Sequence, residues 1–176
     1  MKKLFTGVLL ILILAILAGC GGISIPTEDG GKMRITKDGF AVEGADGSKS
    51  QISTDDKGGM VFKSDDGSEL QIGEDLDLPD GYPKKTLPLY KEDSILSTSS
   101  SEGSYYVMFR SKASIKDSTE YYQDLVESSE GKTVTTSDTG AMIFANIDGR
   151  ECAILINEDS ENKKKSNISL TIGPEK

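Results

Sequence analysis

The sequence has no histidine and no tryptophan, and it has only two cysteines among 176 residues. The absence of histidine excludes a Ser-His-Asp triad and a Cys-His pair, because both need an imidazole base beside the nucleophile. Two cysteines without histidine are too few ligands for a tetrahedral zinc site. No glycine-rich phosphate loop is present either, since the glycines separate short strand-like segments. The sequence therefore predicts no enzyme, no metal and no cofactor.

Basic residues are scarce relative to acidic ones. Lysine and arginine number 20 against 29 aspartates and glutamates, which gives a formal charge of -9. The only basic cluster, residues 163–165, is flanked by Glu158, Asp159 and Glu161, so we interpret it as a solvated turn. A body this acidic is repelled by nucleic acid and by anionic lipid headgroups. We therefore expect no nucleic-acid partner.

The first nineteen residues have the parts of a secretory signal peptide. Lys2 and Lys3 form a basic start, and an uncharged stretch rich in leucine and isoleucine follows, ending in small residues. The apolar run of about sixteen residues is shorter than the roughly 20 that a membrane-spanning helix needs. A cleaved leader is therefore predicted in preference to a membrane helix.

The leader ends in Leu17, Ala18, Gly19 and Cys20. These four residues resemble the lipobox of bacterial lipoproteins, and the resemblance covers residues 1–20. It implies that a lipoprotein signal peptidase cuts before Cys20 and that the Cys20 thiol carries a diacylglyceryl group with fatty acyl chains such as palmitate. Residue 21 is glycine and not aspartate, which departs from the inner-membrane retention signal of double-membrane bacteria. Removing residues 1–19 leaves 18 basic and 29 acidic residues, a charge of -11.

The remaining chain is predicted to have four parts. The boundaries follow the change from polar, glycine-rich sequence to a proline-rich stretch and then to apolar strand-like runs. We assign residues 20–32 to a lipidated flexible spacer, 33–73 to a duplicated Asp-Gly β-hairpin segment, 74–93 to a Pro/Gly connector, and 94–173 to an α+β domain.

The duplication has a spacing of twenty residues. Asp46-Gly47-Ser48 matches Asp66-Gly67-Ser68, and each Asp-Gly pair is typical of a tight turn between short strands. The strands predicted in this segment are residues 33–36, 40–43, 60–63 and 69–72. The neighbouring carboxylates could also bind calcium, but the spacing lacks the pattern of an EF-hand loop.

The C-terminal part predicts a fold of the α+β class. Ser114 is a suitable N-cap for a helix over residues 114–129, and Asp148-Gly149 is the strongest hairpin signal. Strands are predicted at residues 94–99, 105–110, 133–137, 141–147, 152–157 and 167–172. The resulting order, β-β-α-β-β-β-β, is an antiparallel sheet with one helix on one face, preceded by the short hairpins.

No residue in this part predicts catalysis. Cys152 lies in a continuous apolar run and is interpreted as a buried, inert thiol. In the connector, Asp75, Asp77 and Asp80 are the only starting point for a carbohydrate hydrolase. Six tyrosines, from residue 82 to residue 122, offer surface for protein or glycan recognition.

The sequence thus predicts a lipid-anchored protein on the extracytoplasmic face of the cell membrane, acting as a non-catalytic binding or structural module of the envelope. The expected partners are the membrane, through the lipid on Cys20, and an envelope protein or glycan. The alternative is an accessory subunit or inhibitor of an envelope enzyme or transporter.

Overall fold

The computed structural model describes residues 23–27, 30–36, 39–160 and 162–176. These residues belong to two compact units, divided after Gln51. The predicted cleavage and lipidation residues, 17–20, lie outside the described residues. Within the described ranges, no helix is both long enough and apolar enough to cross a membrane.

The described part of the chain contains twelve strands and one helix of eleven residues, so its fold is largely antiparallel β. The prediction of an α+β fold with a helix on one face was wrong. In chain order the elements are β1 (Ile23–Pro26), β2 (Lys32–Thr36), β3 (Gly39–Glu43), β4 (Lys49–Thr54), β5 (Met60–Ser64), β6 (Glu69–Ile72), β7 (Glu92–Ser101), β8 (Ser104–Ser111), α1 (Ile115–Leu125), β9 (Glu130–Ser137), β10 (Gly140–Ile147), β11 (Arg150–Glu158) and β12 (Ser166–Ile172).

The error has a physical cause in the pairing of β6 with β7. Leu70 lies opposite Ser99 and Ile72 lies opposite Ser97, so the short strands before the connector continue the sheet that follows it. The α+β prediction treated those strands as an appendage and thereby gave the single helix too much weight. Non-local pairing of this kind leaves no periodic trace in the sequence.

The first unit is a ladder of short antiparallel strands. β1 pairs with β2 and β2 pairs with β3, with Ile25 opposite Met33 and Ile35 opposite Phe40. All four of these side chains are exposed. β1 occupies part of the segment that was predicted to be a flexible spacer.

The second unit, from Ile52 onward, contains the main sheet. Its strand order from β5 is β5-β6-β7-β8-β12-β11-β10-β9. β12 therefore returns to lie between β8 and β11, while β9 stands at the end of the order. The predicted hairpin at Asp148-Gly149 is confirmed, because both residues have positive φ angles and join β10 directly to β11.

One hydrogen-bond pattern closes several of the short hairpins. In the turn from Ser64 to Ser68, the Ser64 N–H donates a hydrogen bond to the Ser68 carbonyl, and the Gly67 N–H donates one to the Ser64 carbonyl. Gly67 needs a φ of 84°, which glycine adopts without strain. The turns at residues 44–48 and 55–59 have the same bonds. The two copies of the twenty-residue duplication therefore contain the turns at residues 44–48 and 64–68. The turn at residues 55–59 lies between them, and the matching Asp-Gly-Ser residues do not mark it.

The core of the second unit lies on one face of the main sheet. Alternate residues of the central strands point into it, as Val107 and Phe109 do on β8. Helix α1 packs mainly on β10 and β11 and contributes Tyr122 and Val126. The connector before β7 adds Leu76, Tyr82 and Leu87, all of which are buried.

The opposite face of this sheet has no charged side chain along two complete rows. Residues that lie directly opposite each other on neighbouring strands share a face. The first row is Met60, Ile72, Ser97, Met108, Ser169, Leu155, Met142 and Thr135, and the second is Phe62, Leu70, Ser99, Tyr106, Thr171, Ala153, Phe144 and Thr133.

Candidate binding groove

The cysteine that the structure describes has no reactive character. Cys152 is a free thiol with 4% of its surface exposed, and its Sγ lies 3.6 Å from the Arg150 carbonyl. Burial raises the pKa of the Cys152 thiol, so the thiolate is disfavoured. The prediction that Cys152 is a buried thiol is confirmed.

The acidic residues near the turns are occupied by local structure. The Asp46 carboxylate accepts hydrogen bonds from the backbone and hydroxyl of Ser48, and Asp66 accepts one from the Ser68 backbone. These bonds hold the pKa of both carboxyls below the usual value. In the described ranges, no three histidine, cysteine or acidic side chains cluster in a way that could hold a metal ion.

The aspartates considered for hydrolysis do not form a paired site. The backbone N–H of Asp75 donates to Ser94 Oγ at 3.0 Å, and its carbonyl accepts from Lys57 Nζ. Asp77 lies beside a separate cavity of about 370 Å³, while Asp80 lies in the connector and does not line that cavity. The three residues are therefore not brought together around one cavity.

Most of the tyrosines serve packing. Tyr82 and Tyr122 are buried in the core, and the Tyr90 and Tyr121 rings stack with their centroids 4.0 Å apart. Tyr122 Oη donates to the Pro88 carbonyl and accepts from the Tyr90 backbone N–H. These bonds attach the connector to helix α1.

A larger groove lies between helix α1 and the end of strand β9, with a volume of about 580 Å³. Because α1 packs mainly on β10 and β11, it leaves part of the terminal strand β9 uncovered. The helix lines the groove with Lys116, Thr119 and Gln123. The opposite wall is formed by Thr136, Ser137 and Asp138.

The start of α1 is fixed by the sequence at the groove. Ser114 has an extended backbone, and its hydroxyl accepts a hydrogen bond from the Asp117 N–H at 3.2 Å. The predicted N-cap is thereby confirmed. The helix ends at Leu125, four residues before the predicted end at 129.

Thr119 has a buried hydroxyl without a hydrogen-bond partner. The residue is 9% exposed, and its Oγ1 contacts no donor or acceptor in the described part of the protein. The neighbouring Ser118 hydroxyl is satisfied, since it lies 3.0 Å from Ser166 Oγ. A buried hydroxyl that lacks a partner costs about 1–3 kcal/mol.

The charges around the groove are nearly balanced within the protein. Lys116 Nζ lies 3.8 Å from Glu120 Oε1, and Lys163 Nζ lies 3.9 Å from Glu158 Oε1. Both lysines are largely exposed, so these pairs stabilise the fold little. Asp138 forms no ion pair with any described residue and leaves one negative charge on the groove wall.

Sequence reasoning missed this groove. It singled out Ser114 as a cap and residues 163–165 as a solvated turn, but it gave no role to Thr119 or Asp138. The only sequence feature that could have indicated the groove was Thr119, a second hydroxyl residue that follows Ser118 beside the apolar face of the helix. That signal does not reveal whether the hydroxyl finds a partner.

Neither a family model, nor a curated protein, nor a solved structure matches this chain.

Proposed function

We propose that this protein is a bacterial lipoprotein, anchored by lipid on Cys20 at the extracytoplasmic face of the cell membrane, and that it acts there as a non-catalytic binding module. The observation that carries the proposal is the sequence Leu17-Ala18-Gly19-Cys20 at the end of a basic and then apolar leader. Acyl chains supply the membrane affinity, at about 0.8 kcal/mol for each buried methylene. The strongly acidic body adds no attraction to anionic lipid.

The chemistry of the other cysteine supports Cys20 as the acylated residue. Thioether formation needs an accessible thiol that can ionise, and Cys152 is buried with a raised pKa. Binding, the second half of the proposal, is supported by the groove beside β9, where the Asp138 carboxylate forms no ion pair with any residue that the structure describes.

The test compares two cysteine variants in bacteria fed an alkyne-tagged palmitate. The parent protein and Cys152→Ala should incorporate the tag and fractionate with membranes. Cys20→Ala should lose the tag and accumulate either as uncleaved precursor or as soluble protein. Intact-mass analysis of the parent should show loss of residues 1–19 and addition of the acyl groups. An unmodified Cys20 thiol with residues 1–19 still attached would overturn the proposal.

The partner expected from the sequence is an envelope protein or a glycan. A photocrosslinking amino acid placed at Glu120, on the groove, should form crosslinks in intact cells. The same group at Glu102, an exposed turn position between β7 and β8, is the control. Equal crosslinking from both positions would contradict binding at the groove.

A further inference from the structure

Strand β9 has an uncovered edge. It ends the strand order of the main sheet, and among the described residues only β10 pairs with it. Seven of its eight residues are exposed, and Val134 alone is partly buried. On such a terminal strand, alternate residues direct their N–H and C=O groups away from the sheet. An eight-residue strand offers a template of roughly 27 Å for another extended chain.

The uncovered edge adjoins the groove described above. Thr136 and Ser137 belong to β9 and also line the groove, and Asp138 follows them directly. A chain that pairs with the edge of β9 would therefore pass beside a cavity able to accept its side chains. An edge strand next to a helix-lined groove is a recurring arrangement for the capture of extended peptides.

One group in the groove specifies what the bound chain should carry. The exposed Asp138 carboxylate has no ion-pair partner among the described residues, whereas Lys116 and Lys163 each have one. The groove wall thus has one negative charge that is not balanced by a lysine or arginine. The net charge of -9 over the whole chain also favours a cationic ligand.

We infer that this groove binds an extended peptide that pairs with the edge of β9 and places a basic side chain against Asp138. The inference rests on the proposed function, since it names the partner class of that binding module. Backbone hydrogen bonds along β9 supply affinity that is independent of sequence, and Asp138 selects a lysine or arginine in the bound segment.

The first test uses labelled synthetic peptides and the full chain purified in detergent. The probe is a seven-residue peptide, Ser-Thr-Val-Lys-Val-Thr-Ser, and its binding is followed by fluorescence anisotropy. Replacing its lysine by glutamate should weaken binding at least tenfold. Two further peptides carry N-methyl groups on alternate amides, one peptide for each of the two faces. One of them should lose binding and the other should keep it, because only one set of amides faces β9.

The second test changes the protein. Asp138→Asn is nearly isosteric and should weaken binding of the lysine peptide about tenfold, the effect of losing one charge-assisted hydrogen bond. Asp124→Asn changes an exposed aspartate of α1 that does not line the groove and should leave binding unchanged. Amide chemical shifts should change in β9 and at Thr119 when peptide is added, and should remain constant in β8.

Several results would overturn the inference. These are an absence of binding, equal binding of the lysine and glutamate peptides, equal binding of the two methylated peptides, and shift changes centred outside β9. Concentration-dependent shifts at β9 without peptide would assign the edge to a second copy of the chain instead. None of these outcomes depends on acylation, so an unmodified Cys20 would refute the lipid anchor and leave this test intact.

Discussion

The hydroxyl of Tyr122 joins helix α1 to the connector that precedes β7. It donates to the Pro88 carbonyl at 2.9 Å and accepts from the Tyr90 N–H at 3.2 Å, while its ring lies fully buried in the core. Two backbone groups of the connector therefore depend on one oxygen. Losing that oxygen leaves both without a partner inside the protein.

Tyr122→Phe should reduce the free energy of unfolding by about 2 kcal/mol, because buried backbone groups lose their hydrogen bonds without a change in packing volume. Urea denaturation monitored by circular dichroism measures the loss. Tyr106→Phe is the matched control, since that hydroxyl only contacts Ser169 Oγ on the opposite face of the sheet, and it should change stability by less than about 0.5 kcal/mol. Equal losses in the two variants would contradict a bridging role for Tyr122.

The buried tyrosines also predict how stability depends on alkaline pH. Burial raises the pKa of Tyr82 well above the ordinary value of about 10, so the folded state holds the phenol proton more tightly than the unfolded state does. This contribution is fully present below pH 10 and is lost as the pH rises further. Each such tyrosine removes up to about 1.4 kcal/mol of stability per pH unit.

Tyr82→Phe should therefore flatten the decline in stability between about pH 10 and pH 11.5. The difference in unfolding free energy between the variant and the parent, measured at several pH values, isolates this residue from the lysines that titrate in the same range. A constant difference across that range would show that Tyr82 does not contribute to alkaline unfolding.

Strand β11 shows how alternation divides the sheet into two different faces. Ile154 is 1% exposed within the core, whereas Leu155, the next residue, is 38% exposed on the opposite face, in one of the two rows without charged side chains. The two side chains have the same number of carbon atoms, and they differ chiefly in what surrounds them. They are a natural matched pair for testing which face carries the stability of the fold.

Ile154→Ala should cost about 2–5 kcal/mol, because it removes buried methyl groups and leaves a cavity that the neighbouring strands fill only in part. Leu155→Ala should cost less than about 1 kcal/mol. Thermal or urea unfolding of both variants measures the contrast. If Leu155→Ala proved as damaging as Ile154→Ala, the second face would have to be covered in the folded protein.

Among the helix and strands, features that depend on neighbouring residues could be predicted from the sequence, whereas pairing between distant segments could not. The cap at Ser114 and the turn at Asp148-Gly149 depend on neighbouring residues alone, and both were predicted from sequence. Strand β4 was missed because its sequence, Lys-Ser-Gln-Ile-Ser-Thr, contains a single apolar residue and shows no alternation. Sheet neighbours supply the hydrogen bonds of such a strand, and they are chosen by tertiary structure.

The same distinction explains what was missed at the candidate groove. The predicted strands at residues 133–137 and 141–147 place Asp138 in the connection between them, which is correct locally, yet its position beside α1 depends on how the hairpin packs. The partnerless state of Thr119 depends on every surrounding side chain. The fold class failed for a related reason, because the continuation of the sheet from β6 into β7 crosses the connector of residues 74–93 and joins segments far apart in sequence.

Over the whole molecule, the excess of negative charge opposes the compact state. The net charge is -9, and several ion pairs join exposed lysines to single carboxylates. The Asp93 carboxylate is different because it pairs with two lysines. Lys165 Nζ lies 2.5 Å from its Oδ2, and Lys112 Nζ lies 3.5 Å from its Oδ1. The hydrogen bond from Lys165 holds the pKa of the Asp93 carboxyl below its usual value. Carboxylates with such partners stabilise the fold, while isolated ones add repulsion.

Neutralising one carboxylate of each kind should change stability in opposite directions. Asp124 is exposed near the C-terminal end of α1, which has no basic residue in its last turn, so its charge opposes the helix dipole as well as the net charge. Asp124→Asn should raise the free energy of unfolding by about 0.3–0.5 kcal/mol at low salt. That gain should shrink in about 1 M sodium chloride, where the Debye length falls to about 3 Å.

Asp93→Asn should lower stability at low salt, because Lys112 and Lys165 lose a shared partner. Urea unfolding of both variants at the two salt concentrations measures these effects, and a loss of stability in Asp124→Asn would contradict the repulsion argument.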